Sequence, residues 1–151
     1  RHAGVARANL NFNYYSNRIQ KRLLKYSPGS RSSSRWLSRK AKANAATVGL
    51  PGALAVGQDV VRLVSAPPAG GARPPYDLVY VDPPYDHDDT EVEGVLDGLG
   101  RHGWLAEGAL VLVERSRRGA GFLWPDGYEP ERDRVYGDTL VRAALWYGRD
   151  A

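Results

Sequence analysis

Cysteine is absent from the 151 residues, which excludes disulfides, thiolate metal sites and cysteine nucleophiles. Histidine is scarce: His2, His87 and His102 are far apart and lack ligand-like spacing, so no metal site is expected. No apolar run approaches the roughly 18 residues that a membrane span needs. The basic first residues are not followed by the apolar stretch of a signal peptide. A cytoplasmic monomer with no membrane partner is the expectation. The first residue is Arg1 rather than methionine, which points to a fragment or a processed product.

Acidic residues are missing from one whole end. Residues 1–42 hold 11 Lys/Arg and no Asp or Glu, whereas the remainder sets 10 basic residues against all 17 acidic ones, a net of −7. Such asymmetry reads as a basic arm on an acidic body. Three readings of the arm stand side by side. It grips the phosphate backbone of a nucleic acid, releasing counterions; it is a solvated, disordered terminus; or it is foreign to the domain behind it, through truncation or a reading-frame error. The chain therefore divides into a basic segment, 1–43, and a domain, 44–151. With 42% hydrophobic and 25% charged residues overall, the chain can bury a core.

Arg22-Leu23-Leu24-Lys25-Tyr26 reads as a short strand, broken by Ser27-Pro28-Gly29-Ser30. A helix is expected over 32–48 on the loose stripe Trp36, Leu37, Ala41, Ala45 and Val48, and a short strand over 53–56. Asp59 is placed to cap the turn that follows, and 67–75 is a Pro/Gly/Ala loop. The almost wholly apolar run 77–81 suits a buried parallel strand, as does 109–113. Between them Val92, Val95, Leu96 and Leu99 repeat at i, i+3, i+4, i+7, with Asp89, Glu91 and Glu93 in the first turns and Gly100 placed to end the helix. A loop through Trp124 leads to a hairpin, 134–136 and 140–147, turning at Gly137-Asp138. The order predicts an α/β fold with a mostly parallel sheet and an antiparallel C-terminal hairpin.

The residues that point to chemistry are Asp82-Pro83-Pro84-Tyr85, directly after a buried strand. Ligands of open α/β sheets bind beyond the carboxyl ends of strands, and two prolines there fix a rigid turn. Asp82 offers one acceptor, the Pro83 carbonyl a second, and Tyr85 a flat face for stacking. Together they suit a planar ring with an exocyclic amino group, flipped out or unpaired. Two acceptors taking the amino hydrogens favour a pyramidal nitrogen, able to attack a methyl sulfonium in line, with catalysis resting on positioning and electrostatics. The plainer reading, a proline-aspartate turn without chemistry, stands beside it.

Asp82-Pro83-Pro84-Tyr85 resembles the signature of S-adenosylmethionine-dependent methyltransferases that modify amino groups of bases. The ordered set 44–50, 57–59, 76–85, 103–109 and 134–139 resembles the small-subunit rRNA guanine-N2 methyltransferase family often called RsmD. The likeness covers about 44–147. It implies a Rossmann-like methyltransferase sheet, incomplete here at the N-terminus, with S-adenosylmethionine as cofactor and ribosomal RNA or a small-subunit assembly intermediate as partner. It puts Asp82 and Pro83 at the target amino group and Tyr85 against the base. It also sets Asp59, with Gln58 beside it, near the cofactor's adenine, and leaves Glu114 as a lesser candidate. Asp59 serves equally well as a helix cap. Arg115, Arg117 and Arg118, just past a strand end, are candidates to grip RNA phosphate or to line a solvated loop. His87 is read as a loop histidine, and Trp104, Trp124 and Trp146 as packing residues. Two alternatives remain: a catalytically impaired RNA-binding remnant, and a DNA adenine-N6 methyltransferase.

The family places a strand, a glycine-rich Asp-x-x-x-Gly-x-Gly loop and a ribose-binding acid before this region. In residues 1–42 Gly4 and Gly29 stand alone and no carboxylate exists. The polypeptide should therefore bind S-adenosylmethionine weakly or not at all. Isothermal titration is expected to show affinity poorer than micromolar, and micromolar binding would refute the reading.

Overall fold

The computed structural model describes residues 58–69, 74–83, 88–119 and 121–148, and the backbone of 23–26. The helix expected over 32–48 and the strand over 53–56 lie outside the described residues. The elements are β1 (Leu23–Tyr26), α1 (Val60–Val64), β2 (Tyr76–Val81), α2 (Asp89–Arg101), β3 (Leu105–Ser116), β4 (Tyr128–Pro130), β5 (Arg134–Tyr136) and β6 (Thr139–Trp146). They form one sheet in the order β1-β2-β3-β6-β4, with β5 also on β6. The first three strands run parallel, and β6 runs antiparallel to β3, β4 and β5. Among the described residues no helix is long and apolar enough to cross a membrane.

Parallel strands need a long crossover between them, and α2 supplies the one from β2 to β3. Asp88 opens it, its Oδ1 accepting from the Thr90 amide at 3.1 Å, with Asp89 and Glu91 against the positive end of the helix. The buried side presents Val92, Val95, Leu96 and Leu99. Alternation along the strands sets Val79, Val81, Val111 and Val113 in the same core.

The helix does not close at Gly100. It continues to Arg101, His102 caps it by donating to the Gly98 carbonyl, and Gly103, at φ +74°, turns the chain toward β3. Gly100 instead makes room for an aromatic ring, because a Cβ there would lie 2.5 Å from Trp146 Cη2. Trp146 ends a row of edge-on and tilted rings running Phe122, Trp124, Tyr128, Trp146, with centroid spacings of 4.9, 5.5 and 4.8 Å. The Tyr128 hydroxyl donates to the Leu96 carbonyl at 2.6 Å, fastening the row to α2. Trp104 is buried, donating from Nε1 to the Ala66 carbonyl at 3.0 Å.

Two further differences from the sequence reading lie in the sheet. The second buried strand spans 12 residues rather than five, because its ends gain partners on β2 and β6 although Glu107, Gly108 and Arg115 interrupt the apolar run. The stretch after Trp124 contains β4, whose Tyr128 pairs with Trp146. A three-residue strand ending in proline carries no periodic signal, and proline is tolerated at such a sheet edge.

The helices α1 and α2 touch at Gly98, where a Cβ would lie 2.8 Å from both Val64 Cγ2 and the Val64 carbonyl oxygen. Gly94, on the exposed side of the same helix, has nothing within 4 Å. Gly94→Ala should therefore stabilise the protein by up to about 1 kcal/mol through helix propensity. Gly98→Ala should be destabilising, because overpacking of about 1–3 kcal/mol outweighs the same gain. Urea midpoints moving in opposite directions are the expected outcome; parallel shifts would contradict the contact.

Candidate active site at the strand ends

Tyr26 pairs with Val81, and Val81 with Val113, so three parallel strands reach the same edge with β2 in the middle. Asp82 and Pro83 follow there, the first half-buried and the second buried. Proline has no amide hydrogen to extend the ladder, so the chain leaves the sheet at this point. Pro84, Tyr85 and His87 lie outside the described residues.

Beside Pro83 is a hollow of about 130 Å³, lined among others by Asp59, Val60, Val81, Pro83, Glu91 and Val92. It sits on the α2 side of the sheet, where the N-termini of α1 and α2 flank the end of β2. Asp59 is the cap of α1, its Oδ1 accepting from the Arg62 amide at 3.0 Å. Capping and ligand contact are compatible, because a carboxylate accepts at both oxygens. Gln58 precedes it and is exposed. Glu91 carried no site signal in the sequence, where it reads as first-turn helix charge. Its place in the wall follows from the packing of α2 beside β2.

The three arginines after β3 do not act as one cluster. Arg115 is only 6% exposed and its Nη2 lies 2.7 Å from Asp89 Oδ1. It is not a surface grip for RNA phosphate. Alternation places it on the same face as Val111 and Val113, against α2, where a buried guanidinium requires a charged partner. The pair joins the end of β3 to the first residue of α2, where the segment after Pro83 returns. Arg117 and Arg118 are exposed. Arg118 lies 3.8 Å from Asp138, both almost fully in solvent, an arrangement of little energetic consequence.

On the opposite face of the sheet, Tyr80 and Glu114 meet. The Tyr80 hydroxyl donates to Glu114 Oε2. Tyr80 reads in the sequence as part of an apolar strand. The available signal was the pairing of a hydroxyl two residues before Asp82 with a carboxylate in an otherwise apolar strand.

The mixed sheet with its parallel core and antiparallel later strands is a Rossmann-like fold of the kind methyltransferases share. The family model described as Conserved hypothetical protein 95 matches residues 32–145. The chain belongs to that family, the RsmD-like methyltransferases. Among solved structures it is similar to yhhF of Escherichia coli, proposed to be a methyltransferase, with 22% identity and a TM-score of 0.68 over 91% of this chain and 82% of that one. A proposed methylase of Haemophilus influenzae gives 18% identity and 0.67, covering 90% and 93%. A hypothetical protein of Thermus thermophilus gives 17% and 0.56, covering 95% and 92%. These likenesses concern the fold. No curated protein sequence matches the chain significantly.

Removing one member of a partly buried ion pair deprives the other of a charged partner. Because Asp89 retains partial access to water, Arg115→Met should cost about 1–2 kcal/mol in unfolding free energy, and pairing it with Asp89→Asn should recover part of that loss. Denaturant titration of the two single variants and the double variant measures the coupling; strictly additive losses would contradict it.

Proposed function

We propose that the chain is an S-adenosylmethionine-dependent methyltransferase acting on the exocyclic N2 amino group of a guanine in small-subunit rRNA. The observation that carries this reading is the position of Asp82 and Pro83 at the carboxyl edge of β2 beside a hollow, in a member of the RsmD-like family. The hollow fits the adenine part of the cofactor. Its walls are aliphatic at Val60, Val81 and Val92, and Asp59 supplies an acceptor for the ring's amino group. When bound, S-adenosylmethionine supplies an electrophilic methyl group on a sulfonium.

The protein's part is to present the amino nitrogen. The Asp82 carboxylate accepts one amino hydrogen and the Pro83 carbonyl the other, which localises the nitrogen lone pair that the purine would otherwise delocalise. Because strand end and proline fix both acceptors, little reorganisation accompanies the reaction. The Asp89–Arg115 pair ties the start of α2 to β3. Arg117 and Arg118, exposed past the same edge, are the remaining candidates for contact with RNA phosphates.

Unmodified small-subunit rRNA, with cofactor in large excess to offset the unmatched glycine-rich loop, is the test. Nucleoside mass spectrometry should find N2-methylguanosine. Asp82→Ala should lower transfer by about 100-fold or more, with RNA affinity retained. Transfer at the wild-type rate by that variant would remove Asp82 from the mechanism.

A further inference from the structure

Beyond Asp82, the same edge holds a second acceptor. Tyr80 pairs with Leu112 and Val81 with Val113 in parallel register. The pairing ends there, and the next residue is Asp82 on one strand and Glu114 on the other. Val79, Val81, Val111 and Val113 belong to the core under α2, so alternation puts Tyr80, Leu112 and Glu114 on the other face. The hollow beside Asp59 and the carboxylate of Glu114 therefore lie on opposite sides of the end of β2, with Asp82 between them in the chain.

Glu114 is half-buried in a strand whose four preceding residues are Leu110-Val111-Leu112-Val113. Desolvating a carboxylate there is costly unless its oxygens are satisfied. Tyr80 serves Oε2 and fixes where the group stands. A carboxylate has room for several donors and donates none itself, so Oε1 retains the capacity to accept from a ligand.

We infer that Glu114 is a specificity-determining residue that accepts the N1–H of the target guanine while Asp82 holds the neighbouring N2 amino group. The inference rests on the proposed guanine-N2 reading. Guanine presents N1–H and the N2 amino group as adjacent donors, which two adjacent carboxylates match. Adenine presents its amino group beside a bare N1 acceptor, which a carboxylate repels. The Tyr80–Glu114 pair thereby selects guanine over adenine at an edge whose Asp-Pro-Pro-Tyr turn alone serves either base.

The probe is a set of short single-stranded RNAs whose sole purine is guanine, 2-aminopurine or adenine. 2-Aminopurine keeps the 2-amino group and replaces N1–H by an acceptor. Wild type should prefer guanine to 2-aminopurine in kcat/KM by about 10- to 100-fold, the effect of one hydrogen bond to a charged group. Glu114→Gln retains size and an acceptor for Tyr80, and its amide can donate to a bare N1. It should lose most of the guanine rate and bring the two substrates close to parity. Tyr80→Phe should lower the guanine rate while keeping the preference. Equal losses on both substrates in Glu114→Gln, or none, would overturn the assignment of Glu114 and leave Asp82 in place. Wild type that methylates the adenine strand and not the guanine strand would overturn the functional reading, and this inference with it.

Discussion

The parallel pairing of β2 with β3 is the constraint on which the rest of the molecule depends. Two strands buried in this way need a crossover, and α2 provides it; the crossover's apolar face then closes over Val79, Val81, Val111 and Val113. The register decides which residues stand at the edge. A slip of one residue would exchange the faces of a whole strand. Arg115 would leave Asp89, and Glu114 would be driven against α2 without Tyr80. Core packing and site geometry are thus two results of one alignment.

That alignment also sorts charge by depth. Arg115 and Asp89 meet where water is largely excluded, and their attraction is weakly screened. Arg118 and Asp138, of the same chemical types, meet in solvent at 3.8 Å and contribute little. Arginines within a few residues of one strand end therefore have different tasks: Arg115 ties β3 to the start of α2, whereas Arg117 and Arg118, just past the strand, face outward. Glu114, between Val113 and Arg115, is half-buried and has its hydrogen bond on the opposite face of the sheet.

The parts of the fold visible in the sequence were those with strong periodicity or strong turn chemistry. The runs 77–81 and 109–113, the stripe from Val92 to Leu99 and the hairpin at Gly137, where φ is +61°, announce themselves. The short stretch ending at Tyr26 was readable as a strand, but its place beside β2 was not, because pairing partners leave no local trace. β4 escaped notice because three residues with a proline have no period. At Gly100, a glycine needed for an aromatic neighbour looks the same in sequence as one needed to end a helix. The site divided in the same manner. Asp82, Pro83 and Asp59 carry local motif or cap signals. Glu91 and the Tyr80–Glu114 contact arise only when separate elements are brought together. Arg115 reads in the sequence like Arg117 and Arg118, because composition counts charges without showing which face of a strand they occupy.

β6 follows every other described strand in chain order, yet it lies inside the sheet, with β3 on one side and β4 and β5 on the other. During synthesis the long flank of β3 must wait for it with unpaired amides and carbonyls, a template for pairing with another nascent chain. Assembly of this sheet is consequently exposed to aggregation until its latest strand has threaded between its neighbours. Prompt emergence of β6, or a chaperone shielding that flank, would shorten this exposure.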